Sequence, residues 1–440
     1  MAHRSIVGGG KSVRRATIVS TGGTTGDVAY LASIAQELQR TGIDVRMLLP
    51  RAYLERMRAA LEAAGLRNLV SVDPSSPGMY ENATVGPEEQ KARKHLETVA
   101  MCVQLCREAT AGDVIIGDAS CALKLPLLAR AAAVPYFQIS PMPYIPNRDF
   151  YMGSRAPVLT PRLNLVRWKR YMKRWSQTAT RGMVEIVRQD PALAREWRSA
   201  VGRRGLSARR WNRFYRHELA HFVCASPRMV PRPADWTDNV ACVPYCEWDT
   251  STLSVDPQLA AFVDEGPPPV YLGFGSFGKL RFMGPRGHEL LCAIAETAKA
   301  RGVRLVASLG KDLGRLPDLP NIFGVHMVPH RWLFPRCQAV VCHGGYGTVH
   351  TALVSGTPLI VYPFHTDQFF IASQIERLEA GAPYRTLYKD FTAADFGRDL
   401  DWIARNDAVR ARVRCLGDMI AREGGARVLV AALLARVDAG

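Results

Sequence analysis

A chain of 440 residues, 48% hydrophobic and 22% charged, has the composition of a globular protein and enough length for two domains with full cores. It contains no run of about 18 apolar residues, so no membrane-spanning helix is expected. The formal net charge of +17 is uneven: residues 162–216 hold sixteen Lys/Arg against three Asp/Glu, a pattern open to nucleic acid, an anionic membrane surface, an acidic substrate or plain solvent.

Residues 1–15 read as a flexible leader. They lack the apolar core of a signal peptide. GGGKS (8–12) is no P-loop, because Ser5 stands where that motif needs glycine and no strand precedes it. ATIVS (16–20) is the first predicted strand and TGGTTG (21–26) a turn. A helix follows from Asp27 to about Arg40, with Leu31, Ile34, Ala35 and Leu38 on one face. The alternation continues through a strand at 43–49, a helix near 51–64, a strand at 68–72, a helix near 88–110, a strand at 113–118, a helix near 121–133 and a strand at 134–140. Such winding makes a parallel sheet.

The basic stretch comes next, interleaved with Trp168, Tyr171, Trp175, Trp197, Trp211, Phe214 and Tyr215. Trp168, Tyr171 and Trp175 share one helical face, with Lys169, Arg170, Lys173 and Arg174 beside it. That face is either core packing or the apolar side of a helix on an anionic membrane. Strand character resumes at HFVCAS (221–226). A proline-rich linker, 249–269, then leads into a second series of strands at 270–276, 302–310, 321–329, 338–342 and 359–363.

Between the last two strands lies CHGGYGTVHTALVSGTP (342–358), a glycine turn running into a helix at 348–355. The turn follows the C-terminal end of a parallel strand, where ligands bind in open α/β sheets. Helix N–H groups and the dipole behind them attract phosphate there, and glycine lets the backbone come close. The glycine turns of the two halves, 21–26 and 343–348, are expected across one cleft. Ten irregularly spaced cysteines suggest a reducing, cytoplasmic setting. The pairs Cys102/Cys106 and Cys242/Cys246 lack a second pair to complete a metal site, so no metal is expected.

These motifs, in this order, resemble the nucleotide-sugar glycosyltransferases of the GT-B fold, with two doubly wound Rossmann-like α/β domains facing across a cleft. The nearest types are bacterial antibiotic-modifying enzymes (glycopeptide and macrolide) and sterol glucosyltransferases. GTTGD (23–27) is similar to the family's GTRGD turn, with Thr25 for arginine. PMPYIPNRDF (141–150) resembles its acceptor loop, DWTDNVACVPY (235–245) its interdomain segment, and HMVPH, HGGYGT and PFHTDQ its donor signature.

The resemblance implies an acceptor-binding domain over 16–248 and a donor-binding domain over 270–440, the last helix packing back on the first domain. It implies that Asp27 is the catalytic base; a helix N-cap is the competing role. Val328, beside His330, would contact a uracil or thymine. His343, Gly345, Gly347, Thr348 and Ser276 would hold the diphosphate, and Asp367 and Gln368 the sugar hydroxyls. Pro143, Tyr144 and Phe150 would lie near the acceptor. No cofactor is implied beyond a UDP- or dTDP-sugar as donor substrate. The implied activity is inverting, metal-independent transfer of a hexose to a hydrophobic small molecule such as an antibiotic aglycone. The alternative is a lipid or sterol acceptor, with peripheral membrane contact through 162–216.

Two positions depart from plant relatives. Thr351 stands where those carry a ribose-binding glutamate, and Met327 where a tryptophan stacks on the base. An epimerase of the same fold is a rival reading, disfavoured by the acceptor loop. A non-catalytic helper subunit is another, set against the presence of Asp27, His343 and Asp367. A dehydrogenase lacks its GxGxxG turn here. Nucleic-acid binding rests on the basic segment alone and is not expected.

Overall fold

The computed structural model describes residues 13–20, 25–72, 100–122, 125–150, 164–173, 195, 207–250, 254–275, 287–308, 319–364 and 366–438. Seven strands form one sheet: β1 (Arg15–Val19), β2 (Asp44–Pro50), β3 (Leu69–Val72), β4 (Asp113–Gly117), β5 (Tyr136–Ser140), β6 (Ala220–Cys224) and β7 (Val240–Val243). Their order is 3-2-1-4-5-6-7. Five more form a second sheet: β8 (Val270–Gly273), β9 (Leu305–Ser308), β10 (Ile322–Val325), β11 (Ala339–Cys342) and β12 (Leu359–Val361), in the order 10-9-8-11-12. Every neighbouring pair is parallel. β4 and β5 are buried at every residue, as befits parallel strands covered on both faces.

The strand order reverses between β1 and β4 in the first sheet and between β8 and β11 in the second. Open α/β sheets bind ligands at such switch points, beyond the carboxyl ends of the strands. The 343–348 turn follows β11 and so sits at the second switch point, while residues 21–24 of the turn after β1 lie outside the described residues. The helices that follow the two turns, α1 (Thr25–Arg40) and the helix Tyr346–Val354, touch each other. The final helix, Gly425–Asp438, packs against α1 and β7 of the first sheet.

The structure departs from the sequence reading in several places. The first helix begins at Thr25, which puts Asp27 inside its first turn rather than at the cap. β7 was not expected, because VACV is four residues long and its register comes from β6. The linker contains a helix, Pro257–Asp264, capped by Asp256, whose side chain accepts from Gln258 N at 2.8 Å. Proline suits the first turn of a helix, where its missing N–H is not needed. This helix belongs to the second domain: Phe262 packs on Phe323, and the Arg304 guanidinium lies 4.9 Å over the Phe262 ring.

The aromatic stripe turns inward. Trp168, Trp211, Phe214 and Tyr215 are buried, and Trp168 Nε1 donates to the Phe150 carbonyl at 2.9 Å. Tyr171 packs partly buried against the same core, while Lys169, Arg170 and Lys173 stay exposed. Trp175, Trp197 and Arg174 lie outside the described residues. Among the described residues no helix is long and apolar enough to cross a membrane.

Candidate functional site

The site is built outward from β11, which delivers His343 to the start of the helix Tyr346–Val354. Gly345 caps that helix and brings no side chain to its first N–H groups. The His343 ring is held between two glycines. A Cβ on Gly275 would fall 2.6 Å from its Cε1, and one on Gly345 would fall 2.7 Å from its Nε2. Phe364 stacks along the ring, with centroids 5.7 Å apart. Burial lowers the His343 pKa to about 4, against smaller opposing effects of Asp367 and the Gly273 carbonyl. The imidazole is therefore neutral at pH 7 and offers a hydrogen bond rather than a charge. Its buried Nδ1 makes no aligned hydrogen bond.

Beside it, Asp367 lies in the first turn of the helix Thr366–Arg377, near enough to favour protonation of His343. Gln368 is buried, and its Oε1 accepts from Phe364 N at 3.0 Å, which pins the loop after β12. Gly347 and Thr348 are half-buried on the helix that follows His343. These six residues, His343, Gly345, Gly347, Thr348, Asp367 and Gln368, come together. Ser276 lies outside the described residues, and so does the side chain of Asp27.

The other flank is the segment 327–333. Val328 is buried, and Met327 beside it is 58% exposed. His330 is half-buried: its Nε2 is 3.2 Å from Tyr271 Oη and its ring stacks on Phe334 at 4.4 Å. Burial lowers its pKa to about 4. Next to it, Arg331 pairs with Glu247, Nη2 to Oε2 at 2.5 Å and Nε to Oε2 at 2.8 Å. Thr351 Oγ1 donates to Glu247 Oε1 at 2.6 Å. Glu247 was not singled out from the sequence. Its partners lie 84 and 104 residues away, and no local pattern marks it.

The first domain closes on this site through named contacts. Ser226 N, at the end of β6, donates to Tyr346 Oη at 2.8 Å, and Ser226 Oγ donates to Glu423 Oε1 at 2.8 Å. Tyr245 lies against Tyr346 and His350, at 5.0 and 4.6 Å between centroids. Phe150 is buried and meets Phe370 of the second domain at 4.8 Å between centroids. Pro143 is buried too. Tyr144 is half-buried and lines a narrow crevice with Ser140, Gln138, His221 and Phe222. At the first switch point, Ser20 Oγ donates to the buried Asp118 at 2.5 Å, tying the end of β1 to the end of β4.

Comparison with known proteins gives a consistent picture. Residues 289–431 match the family model described as erythromycin biosynthesis protein CIII-like, C-terminal domain. The chain is 30% identical over 379 residues to glycosyltransferase GtfC of Amycolatopsis orientalis, covering 83% of this chain and 84% of that protein. It is 29% identical over 383 residues to sterol 3-beta-glucosyltransferase UGT80B1 of Arabidopsis thaliana, covering 80% of this chain and 57% of the relative. Among solved structures, the glycotransferase of kitacinnamycin superposes with a TM-score of 0.68 at 20% identity, over 97% of this chain and 99% of that one. VinC in complex with dTDP superposes with a TM-score of 0.61 at 18% identity, over 97% and 100%.

Proposed function

The chain belongs to the GT-B glycosyltransferase family that includes GtfC, and from that premise we propose that it moves a hexose from a UDP- or dTDP-sugar to a hydroxyl of a hydrophobic small molecule, with inversion and without a metal ion. The observation that carries the donor half is the His343 ring, whose Nε2 edge is flanked by Gly275 and Gly345 at a helix N-terminus that no side chain covers. The helix dipole and N–H groups supply favourable potential for a diphosphate without a cation.

In the proposed reaction Asp27 takes the proton of the acceptor hydroxyl as its oxygen attacks the anomeric carbon. The bond to the diphosphate oxygen breaks on the opposite face, and the nucleoside diphosphate leaves against His343 and the helix N-terminus. Asp367 and the Gln368 amide, which match vicinal diols, orient the hexose. The contact between α1 and the helix Tyr346–Val354 supports placing base and leaving group on facing sides of one cleft. The acceptor is assigned to the class of antibiotic aglycones, the acceptor named for the relative vancomycin aglycone glucosyltransferase of Amycolatopsis orientalis.

Nucleotide release from UDP-glucose or a dTDP-hexose, followed by mass spectrometry, should persist in excess EDTA. Turnover abolished by chelation and restored by Mg²⁺ or Mn²⁺ would sink the metal-free mechanism. A second reading, a lipid or sterol acceptor at a membrane surface, is favoured by the exposed Lys169, Arg170 and Lys173 beside Val166, which is 45% exposed, and by the sterol glucosyltransferase relative. It requires co-sedimentation with anionic liposomes that fades as salt rises. Absence of binding at about 50 mM salt, where the Debye length still exceeds 10 Å, rejects it.

A further inference from the structure

We infer that Glu247 reads the ribose of the bound nucleotide, so that the donor is a ribonucleoside diphosphate sugar rather than a 2′-deoxy one. The inference rests on the donor reading above and narrows it. Glu247 lies on the segment between β7 and β8, yet its carboxylate is anchored on two elements of the second domain. Thr351 is three residues after Thr348 and four after Gly347, hence on the same helix face one turn from the phosphate end, about 5 Å along the axis. Its hydroxyl donates to Glu247 Oε1 at 2.6 Å. Arg331 lies three residues after Val328, the residue assigned to the base, and its Nε and Nη2 hold Oε2 at 2.8 and 2.5 Å. Ribose is the piece that joins base to phosphate, and Glu247 is tied to the segments assigned to both.

The carboxylate also has capacity for a ligand. It accepts about four hydrogen bonds; Thr351 fills one position on Oε1, and Arg331 occupies Oε2 through its Nε hydrogen bond and the Nη2 ion-pair contact. One acceptor position remains, on Oε1, in a side chain that is 17% exposed. His350 Nε2 is 3.8 Å from Oε2, but burial lowers its pKa to about 3, so it is neutral and leaves the carboxylate to Arg331. A 2′-hydroxyl donating to this remaining position forms a charge-assisted bond. Thr351 thus presents a carboxylate borrowed from the interdomain segment.

The probes are UDP and dUDP, which differ by that hydroxyl alone, titrated calorimetrically into the full-length protein. Wild type should bind UDP roughly ten-fold or more tightly than dUDP, the range for a hydrogen bond to a charged group. In Glu247→Gln the ratio should fall toward one, chiefly through weaker UDP binding. A variant that weakens both nucleotides equally would show that Glu247 only braces the two helices, and that result overturns the assignment. The wild-type ratio tests it without any substitution: equal binding of UDP and dUDP overturns it and leaves the donor reading standing. Binding of neither overturns both.

Discussion

Gly345→Ala tests how tightly the His343 ring is held. The new Cβ would stand 2.7 Å from Nε2 and 2.9 Å from Cε1. Comfortable contact begins near 3.5 Å, so the ring must retreat by roughly 0.8 Å. It cannot do so cheaply, because Gly275 approaches on another side and Phe364 stacks along it. The backbone at 345 has φ −63°, so alanine adds no dihedral strain and the clash dominates. Overpacking of this kind destabilises by roughly 1–3 kcal/mol. Displacement of a catalytic contact by about 1 Å can lower turnover on the order of 10²-fold. Melting temperature, UDP affinity and nucleotide release should all fall in Gly345→Ala. Alanine is also a poorer helix cap than glycine, so the substitution is repeated in a His343→Ala background, where the clash is gone but the cap effect remains. There it should change melting temperature little, and the strong non-additivity is the signature of direct contact. Wild-type melting and UDP affinity in Gly345→Ala, or simple additivity with His343→Ala, would refute the picture of a ring wedged between glycines.

Asp27→Asn should lower kcat by roughly 10²–10⁴-fold with little change in UDP affinity; near-normal turnover returns Asp27 to a purely helical role. Stability should depend steeply on acid. Burial lowers the pKa of His221, His330 and His343 to about 4 and that of His350 to about 3, with the nearby Arg331 adding to the effect at His350. Unfolded imidazoles titrate near 6.5, so the stability from keeping these rings neutral is complete above that pH. It is lost as pH falls toward 4, by up to about 1.4 kcal/mol per pH unit for each ring. A melting temperature that stays level between about pH 6.5 and 4.5 would mean that the rings take up protons without unfolding.

The alternation of β-branched runs and helical periods was enough to expect two parallel sheets, because hydrophobic period is a local property of the chain. The same holds for the phosphate turn: a strand, glycines and a helix in series fix the direction of the first N–H groups whatever surrounds them. Eleven of the twelve strands fall within the predicted sheet-forming runs of 16–20 to 359–363, and β7 escapes because four residues next to a resembling motif carry no period of their own. What the local pattern could not decide was which face of an aromatic stripe meets the core. Trp168 goes inward, where the Phe150 carbonyl, 18 residues earlier, receives its Nε1. His330, set on the base side by the resemblance, packs half-buried beside Tyr271, 59 positions earlier, a partner that no local pattern marks. Glu247 acquired its place at the site only when β7 and β8 brought two domains together around Thr351 and Arg331. Periodicity and turn chemistry act over a few residues and are written in the sequence, whereas a side chain's partner across a domain boundary is chosen by packing that no local pattern encodes.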